Sequence, residues 1–122
     1  MAANQVLDMQ IVDELLSLTD DGDPELLLDL INLFLDDGPA KIQSVLQGLA
    51  SQDLDQVERA AHSLKGSAGN LGARLLQNTC EQLQLAARGS RLSEVRQLAP
   101  ALETQFRDAR AALEALRNRY SP

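Results

Sequence analysis

Leu54-Asp55-Gln56-Val57-Glu58-Arg59-Ala60-Ala61-His62-Ser63-Leu64-Lys65-Gly66-Ser67-Ala68-Gly69-Asn70-Leu71-Gly72 carries the clearest periodic pattern in the chain. Its apolar positions Leu54, Val57, Ala61, Leu64, Ala68 and Leu71 are spaced 3, 4, 3, 4, 3, which draws one buried stripe along a helix. That stripe predicts a helix over about 53–72 with neighbours on either side. Downstream, Gly72-Ala73-Arg74 reads as a tight connection. A helix over 74–88 follows, with Leu76, Cys80, Leu83 and Ala87 in the same rhythm and Gly89-Ser90 ending it. The next stripe, Val95, Leu98, Leu102, Phe106, Ala109, Leu113 and Leu116, predicts a helix over about 91–118, bent early by Pro100. Upstream, Ser51-Gln52-Asp53 marks a turn. Before it, Leu27, Leu30, Ile31, Phe34, Ile42, Val45 and Leu49 predict a helix over about 24–51, with Asp23 as its N-cap and Pro24 at its first position. Gly38-Pro39 predicts a kink or short break inside it, because proline removes a donor and crowds the preceding turn. Asp8 can cap a short first helix over about 8–18. The expected fold is all-α, an antiparallel four-helix bundle with a short additional N-terminal helix, filling residues 1–122 as one domain.

His62 is the only histidine. It lies one residue past the core position Ala61, hence about 100° round the helix and on the flank of the stripe. Lys65 and Gly66, three and four residues on, share its face, and Gly69 continues it. Each glycine inside a helix costs roughly 1 kcal/mol relative to alanine. One reading is a bare surface where another protein can approach the imidazole; the other is close packing against a neighbouring helix. Both glycines fall on the histidine side of the stripe, which favours docking clearance at Gly66 and Gly69. Neutral imidazole is a nitrogen nucleophile near pH 7, and a lysine one turn away can support phosphoryl oxygens. If the connection to the next helix is centred near Ala73, antiparallel pairing sets His62 opposite Gln84. That amide could orient the ring or reach the phosphoryl oxygens. Gln84 could equally be an ordinary surface glutamine, and Gln82, on the other flank of Leu83, is the weaker candidate.

His62-Ser63-Leu64-Lys65-Gly66, followed by small residues and a later glycine, closely resembles the signature of histidine-containing phosphotransfer (HPt) domains. Ala60-Ala61 before it, and Leu30-Ile31-Asn32-Leu33-Phe34-Leu35-Asp36-Asp37 with nearby Pro39, are similar to the same family. The resemblance covers about residues 7–117. It implies an HPt bundle in which His62 is the phosphorylated residue, Lys65 its cationic support and Gly66 the source of clearance. A polar residue from the next helix near the histidine fits Gln84. It also implies exchange of the phosphoryl group with aspartates of receiver domains, in response regulators or a hybrid histidine kinase. The Mg2+ for that exchange would come from the receiver domain, with no intrinsic cofactor in this chain.

Composition limits the other readings. Aromatics are 2% of the chain, so the core is aliphatic. The net charge of −7 argues against general nucleic-acid binding. It is unevenly spread: residues 1–61 hold 13 acids and two bases, Lys41 and Arg59, whereas residues 62–122 hold 5 acids and 9 bases. The basic half begins at His62, an environment suited to an anionic group or an acidic partner; uneven helix charge alone could also produce the division. Gly66 to Gly72 follows no strand and lacks Gly-Lys-Ser/Thr, so it is no phosphate loop, and no ATP-dependent autokinase activity is expected. His62 and Cys80 give no metal set. A general-base enzyme would need a nucleophile and an orienting acid on the His62 face, and the sequence offers neither. A phosphate-independent docking bundle is the remaining alternative. No apolar run approaches a ~20-residue membrane span. Met1-Ala2-Ala3-Asn4 lacks the features of a signal peptide, and the one cysteine forms no internal disulfide, so a cytoplasmic protein is expected; a monomer is expected as well.

Overall fold

The computed structural model describes residues 6–121. Met1 to Asn4, the stretch that lacks signal-peptide features, lies outside that range. Five α-helices and one 3-10 turn account for the described fold, with no strand among these residues: α1 (Met9–Ser17), the 3-10 turn Asp20–Gly22, α2 (Glu25–Ala50), α3 (Leu54–Asn70), α4 (Arg74–Arg88) and α5 (Leu92–Tyr120). Helices α2 to α5 run up, down, up, down. Each packs on the next, and α5 closes the ring against α2, while α1 rests against α2. One apolar core fills the centre, built from Leu27, Ile31 and Val45 of α2, Val57, Ala61 and Leu64 of α3, Leu76 and Leu83 of α4, and Leu102 and Leu113 of α5.

The helix starts follow local chemistry. Asp8 accepts from Gln10 N at 3.0 Å and Asp53 accepts from Gln56 N at 3.1 Å, each meeting a first-turn amide that lacks an intrahelical partner. Asp23 does the same for Glu25 N at 3.0 Å, although the helix itself begins at Glu25, one residue beyond the expected position. Each connection between bundle helices has one residue in the left-handed region: Gln52 at φ 58°, Gly72 at φ 78° and Ser90 at φ 59°. Only the middle one is glycine, the residue that adopts this conformation without steric cost. The Gly72 turn is also where α1 is fastened. Asp8 N donates to Gly72 O at 2.7 Å, and the Asp8 carboxylate pairs with Arg74 at 2.6 Å. The Arg74 guanidinium holds the Asp8 carboxyl below the ordinary carboxylate range.

The expected interruption at Gly38-Pro39 does not occur as a break: α2 is one helix from Glu25 to Ala50, with Pro39 inside it. Packing explains why. Ile31 and Phe34 before the proline and Val45 after it are buried in the same core, so both halves stay packed in one continuous helix. Pro39 faces solvent, and Gly38 faces inward beneath the ring of Phe106, which also stacks on Phe34 at 5.3 Å between centroids. A Cβ at Gly38 would stand 2.5 Å from Phe106 Cε1, so that glycine serves ring packing. Pro100 likewise sits within an uninterrupted α5.

Candidate functional site

Ala61 and Leu64 are fully buried and fix the rotation of α3, which leaves His62 exposed on the flank toward α4. Gln84 lies directly across. Its Nε2 is 3.1 Å from His62 Nδ1. Gln84 is only 7% exposed, a rare position for a polar side chain, and its bond to the imidazole accounts for it. The neighbouring rungs keep the same antiparallel register about residue 73. One turn earlier on α3, Glu58 accepts from Arg88 Nε at 2.8 Å, and toward the connection Gly69 faces Gln77. Gln82, the other glutamine flanking Leu83, is exposed.

Lys65 is half-buried, one turn beyond His62. Its charge reaches Cys80 of α4, a free, buried thiol. Burial pushes that thiol up to about 12, with Lys65 drawing it down in part. An unfolded thiol ionises near ~8.5. Cys80 therefore contributes stability that is whole below about pH 8.5 and is lost as pH rises toward 12. We expect Cys80 to resist iodoacetamide at about pH 8.5 in the native protein and to alkylate on addition of denaturant; rapid native labelling would contradict the buried assignment.

Gly66 and Gly69, grouped by spacing, differ in surroundings. A Cβ built at Gly66 meets nothing within 4 Å, so the surface beside the histidine is open and the helix-packing alternative fails there. A Cβ at Gly69 would lie 2.7 Å from Gln77 Nε2. The movable end of the Gln77 side chain lies over Gly69, so the open surface beside the histidine stops short of it and the clearance expected there is not found. Glu58 also amends the sequence reading. It stands four residues before His62, on the side of α3 that meets α4, but its carboxylate is engaged by Arg88 and not by the imidazole. Among the described residues no group of three or more His, Cys, Asp or Glu could hold a metal, and no helix is long and apolar enough to cross a membrane.

The chain that carries this exposed imidazole, buried amide and Lys65-Gly66 is similar to known proteins. Residues 29–119 match the family model of the Hpt domain. The chain is a histidine-containing phosphotransfer domain. It is 30% identical over 118 residues to histidine-containing phosphotransfer protein 1 of Oryza sativa subsp. japonica, an alignment covering 95% of this chain and 80% of the rice protein. Histidine-containing phosphotransfer protein 5 of Arabidopsis thaliana is 36% identical over 70 residues, 55% of this chain and 45% of that protein. The crystal structure of histidine-containing phosphotransfer protein B (HptB) from Pseudomonas aeruginosa PAO1 superposes with a TM-score of 0.85 at 28% identity, covering 95% of this chain and 97% of that one. The HPt bundle is therefore the fold, and phosphorelay is the function class.

Two groups of this HPt domain escaped the sequence reading. Glu58 carried a signal, since it lies on the same 58–88, 62–84, 69–77 ladder that singled out Gln84. Gln77 carried it too, as the residue set opposite Gly69 by the same register.

Proposed function

We propose that His62 is the phosphoryl carrier of this HPt domain and that it exchanges the group with aspartates of receiver domains. The exposed imidazole whose Nδ1 is held by the buried Gln84 amide carries this reading. With Nδ1 engaged, Nε2 is the nitrogen left to react. A glutamine serves either ring tautomer: its N–H donates to a bare Nδ1, or, with the amide turned over, its oxygen accepts from Nδ1–H and leaves the lone pair on Nε2. That lone pair forms the N–P bond as the P–O bond to the aspartyl carboxylate breaks, and the electron pair leaves with the carboxylate. The reverse step returns the phosphoryl group. Lys65 supports the phosphoryl oxygens as a flexible point charge, and Gly66 leaves room for the partner.

In this reading Mg2+ is bound on the receiver side and the chain does not phosphorylate itself from ATP. It works as a monomer in the cytoplasm, between the receiver domains of a hybrid kinase and a response regulator. Incubation with a phosphorylated receiver domain and Mg2+ tests the proposal. The expected product is one acid-labile, base-stable phosphoryl group per chain; no label, or an acid-stable one, would overturn it.

A further inference from the structure

The acid-rich first half of the chain has only two bases, and both face one cleft. Lys41 of α2 and Arg59 of α3 line an open groove of about 330 Å3, together with Ala40, Ser44, Gln56 and Ala60. Beside this groove the two helices are tied, since Gln56 Nε2 donates to Ser44 O at 3.0 Å. Acids are near in sequence: Asp37 is one turn before Lys41 and Asp55 one turn before Arg59. Neither cation is paired with them or with any other carboxylate among the described residues, although Arg74, Arg88, Arg91 and Arg110 all form ion pairs. Lys65, Arg96 and Arg107 also lack a carboxylate partner among the described residues; what sets Lys41 and Arg59 apart is that they share one groove within the acid-rich half.

Position relates that groove to His62. On α3, Arg59, His62 and Gly66 come on successive turns of one exposed face. Gln84 bounds that face on the α4 side, and the Lys41 groove bounds it on the α2 side. A body docked on His62 over bare Gly66 therefore overlies Arg59 and the mouth of the groove.

We propose that Lys41 and Arg59 form an electrostatic clamp for a carboxylate-bearing segment of the receiver domain, beside its phosphorylated aspartate, and so set partner choice and encounter rate. This rests on the phosphorelay reading. Charges at the rim of an interface act mainly on association rate and on its salt dependence. The clamp therefore acts on docking and leaves the chemistry at His62 alone.

The test uses the full chain and a panel of receiver domains charged with acetyl phosphate and Mg2+, the fastest serving as donor. Lys41→Glu/Arg59→Glu is compared with Arg96→Glu/Arg107→Glu, an equal change of net charge on α5, which lies diagonally across the bundle from α3. At low salt the first variant is expected to lose about tenfold in second-order transfer rate and most of its ionic-strength dependence. The α5 variant should stay within about twofold of wild type. Direct labelling of His62 by phosphoramidate should be equal in all three. Equal transfer by the two variants, or transfer by the first at the wild-type rate, overturns the clamp while phosphorelay stands. A parallel fall in phosphoramidate labelling overturns it too, by placing the pair in the chemistry. A wild-type chain that phosphoramidate labels but no receiver domain charges overturns the phosphorelay reading itself, and the clamp with it.

Discussion

His62→Gln is expected to leave the bundle folded and to take phosphoryl acceptance below detection, a larger effect than any other single substitution in the chain should have. The fold does not depend on this side chain. The imidazole is exposed and adds no core area, and the stripe that fixes α3 passes through Ala61 and Leu64. What is lost is one hydrogen bond to Gln84, worth about 0.5–1.5 kcal/mol. A glutamine at 62 retains an amide that can meet that of Gln84, so stability should change by about 1 kcal/mol at most. The chemistry, by contrast, has no substitute. An amide nitrogen is not a nucleophile at neutral pH, and the chain has no second histidine. Thermal denaturation and transfer from a phospho-receiver check the two halves separately. Phosphorylation of the variant at the wild-type rate would remove His62 from the mechanism.

Gly66→Leu should separate docking from folding in the opposite way to a core mutation. The position is exposed and open, so leucine meets no neighbour at its Cβ, and its better helix propensity should raise stability by a few tenths to ~1 kcal/mol. Transfer should nevertheless fall about 100-fold, the scale of loss that misplaced reacting atoms bring. A side chain one turn from His62 stands where the receiver must come, and nitrogen and phosphorus then cannot reach the near-attack separation of roughly 3–3.5 Å. A variant destabilised by about 1–3 kcal/mol that still transfers normally would mean that the glycine relieves packing instead. One denaturation curve and one transfer assay distinguish the two because the stability changes differ in sign.

The parts of the molecule legible in the sequence were those set by short-range periodicity. The 3, 4, 3, 4, 3 spacing on α3 revealed its buried face and, with it, the exposure of His62. A short connection centred on residue 73 fixes an antiparallel register, and a register can be counted, which is why Gln84 could be placed opposite His62 from numbers alone. Contacts between distant segments could not be counted in that way. Gly38 and Phe106 are 68 positions apart in the chain, and nothing local shows that a ring needs the space over that glycine. Burial of Ile31, Phe34 and Val45 in one core likewise keeps α2 continuous through Pro39, where local rules favour an interruption. Gly66 and Gly69 look alike in sequence, and only the presence of Gln77 over one of them tells them apart. The cleft of Lys41 and Arg59 joins two helices whose relative rotation is a property of the whole core.

The placement of His62 in the middle of a packed helix has a consequence for how its state can be read. His62 is flanked by helix on both sides, with no loop beside it. The α3 backbone is helical through Asn70, Ala61 and Leu64 lock it to the core, and the Gln84 amide holds the imidazole. A phosphoryl group on this exposed flank would meet helix on either side and no adjoining loop. We expect the charged and uncharged forms to share one shape, with amide resonances away from residues 62 and 84 scarcely shifting between them. Such a carrier transmits no message through its form. On this expectation it is a wire and not a switch, and whatever reads it must recognise the phosphoryl group itself.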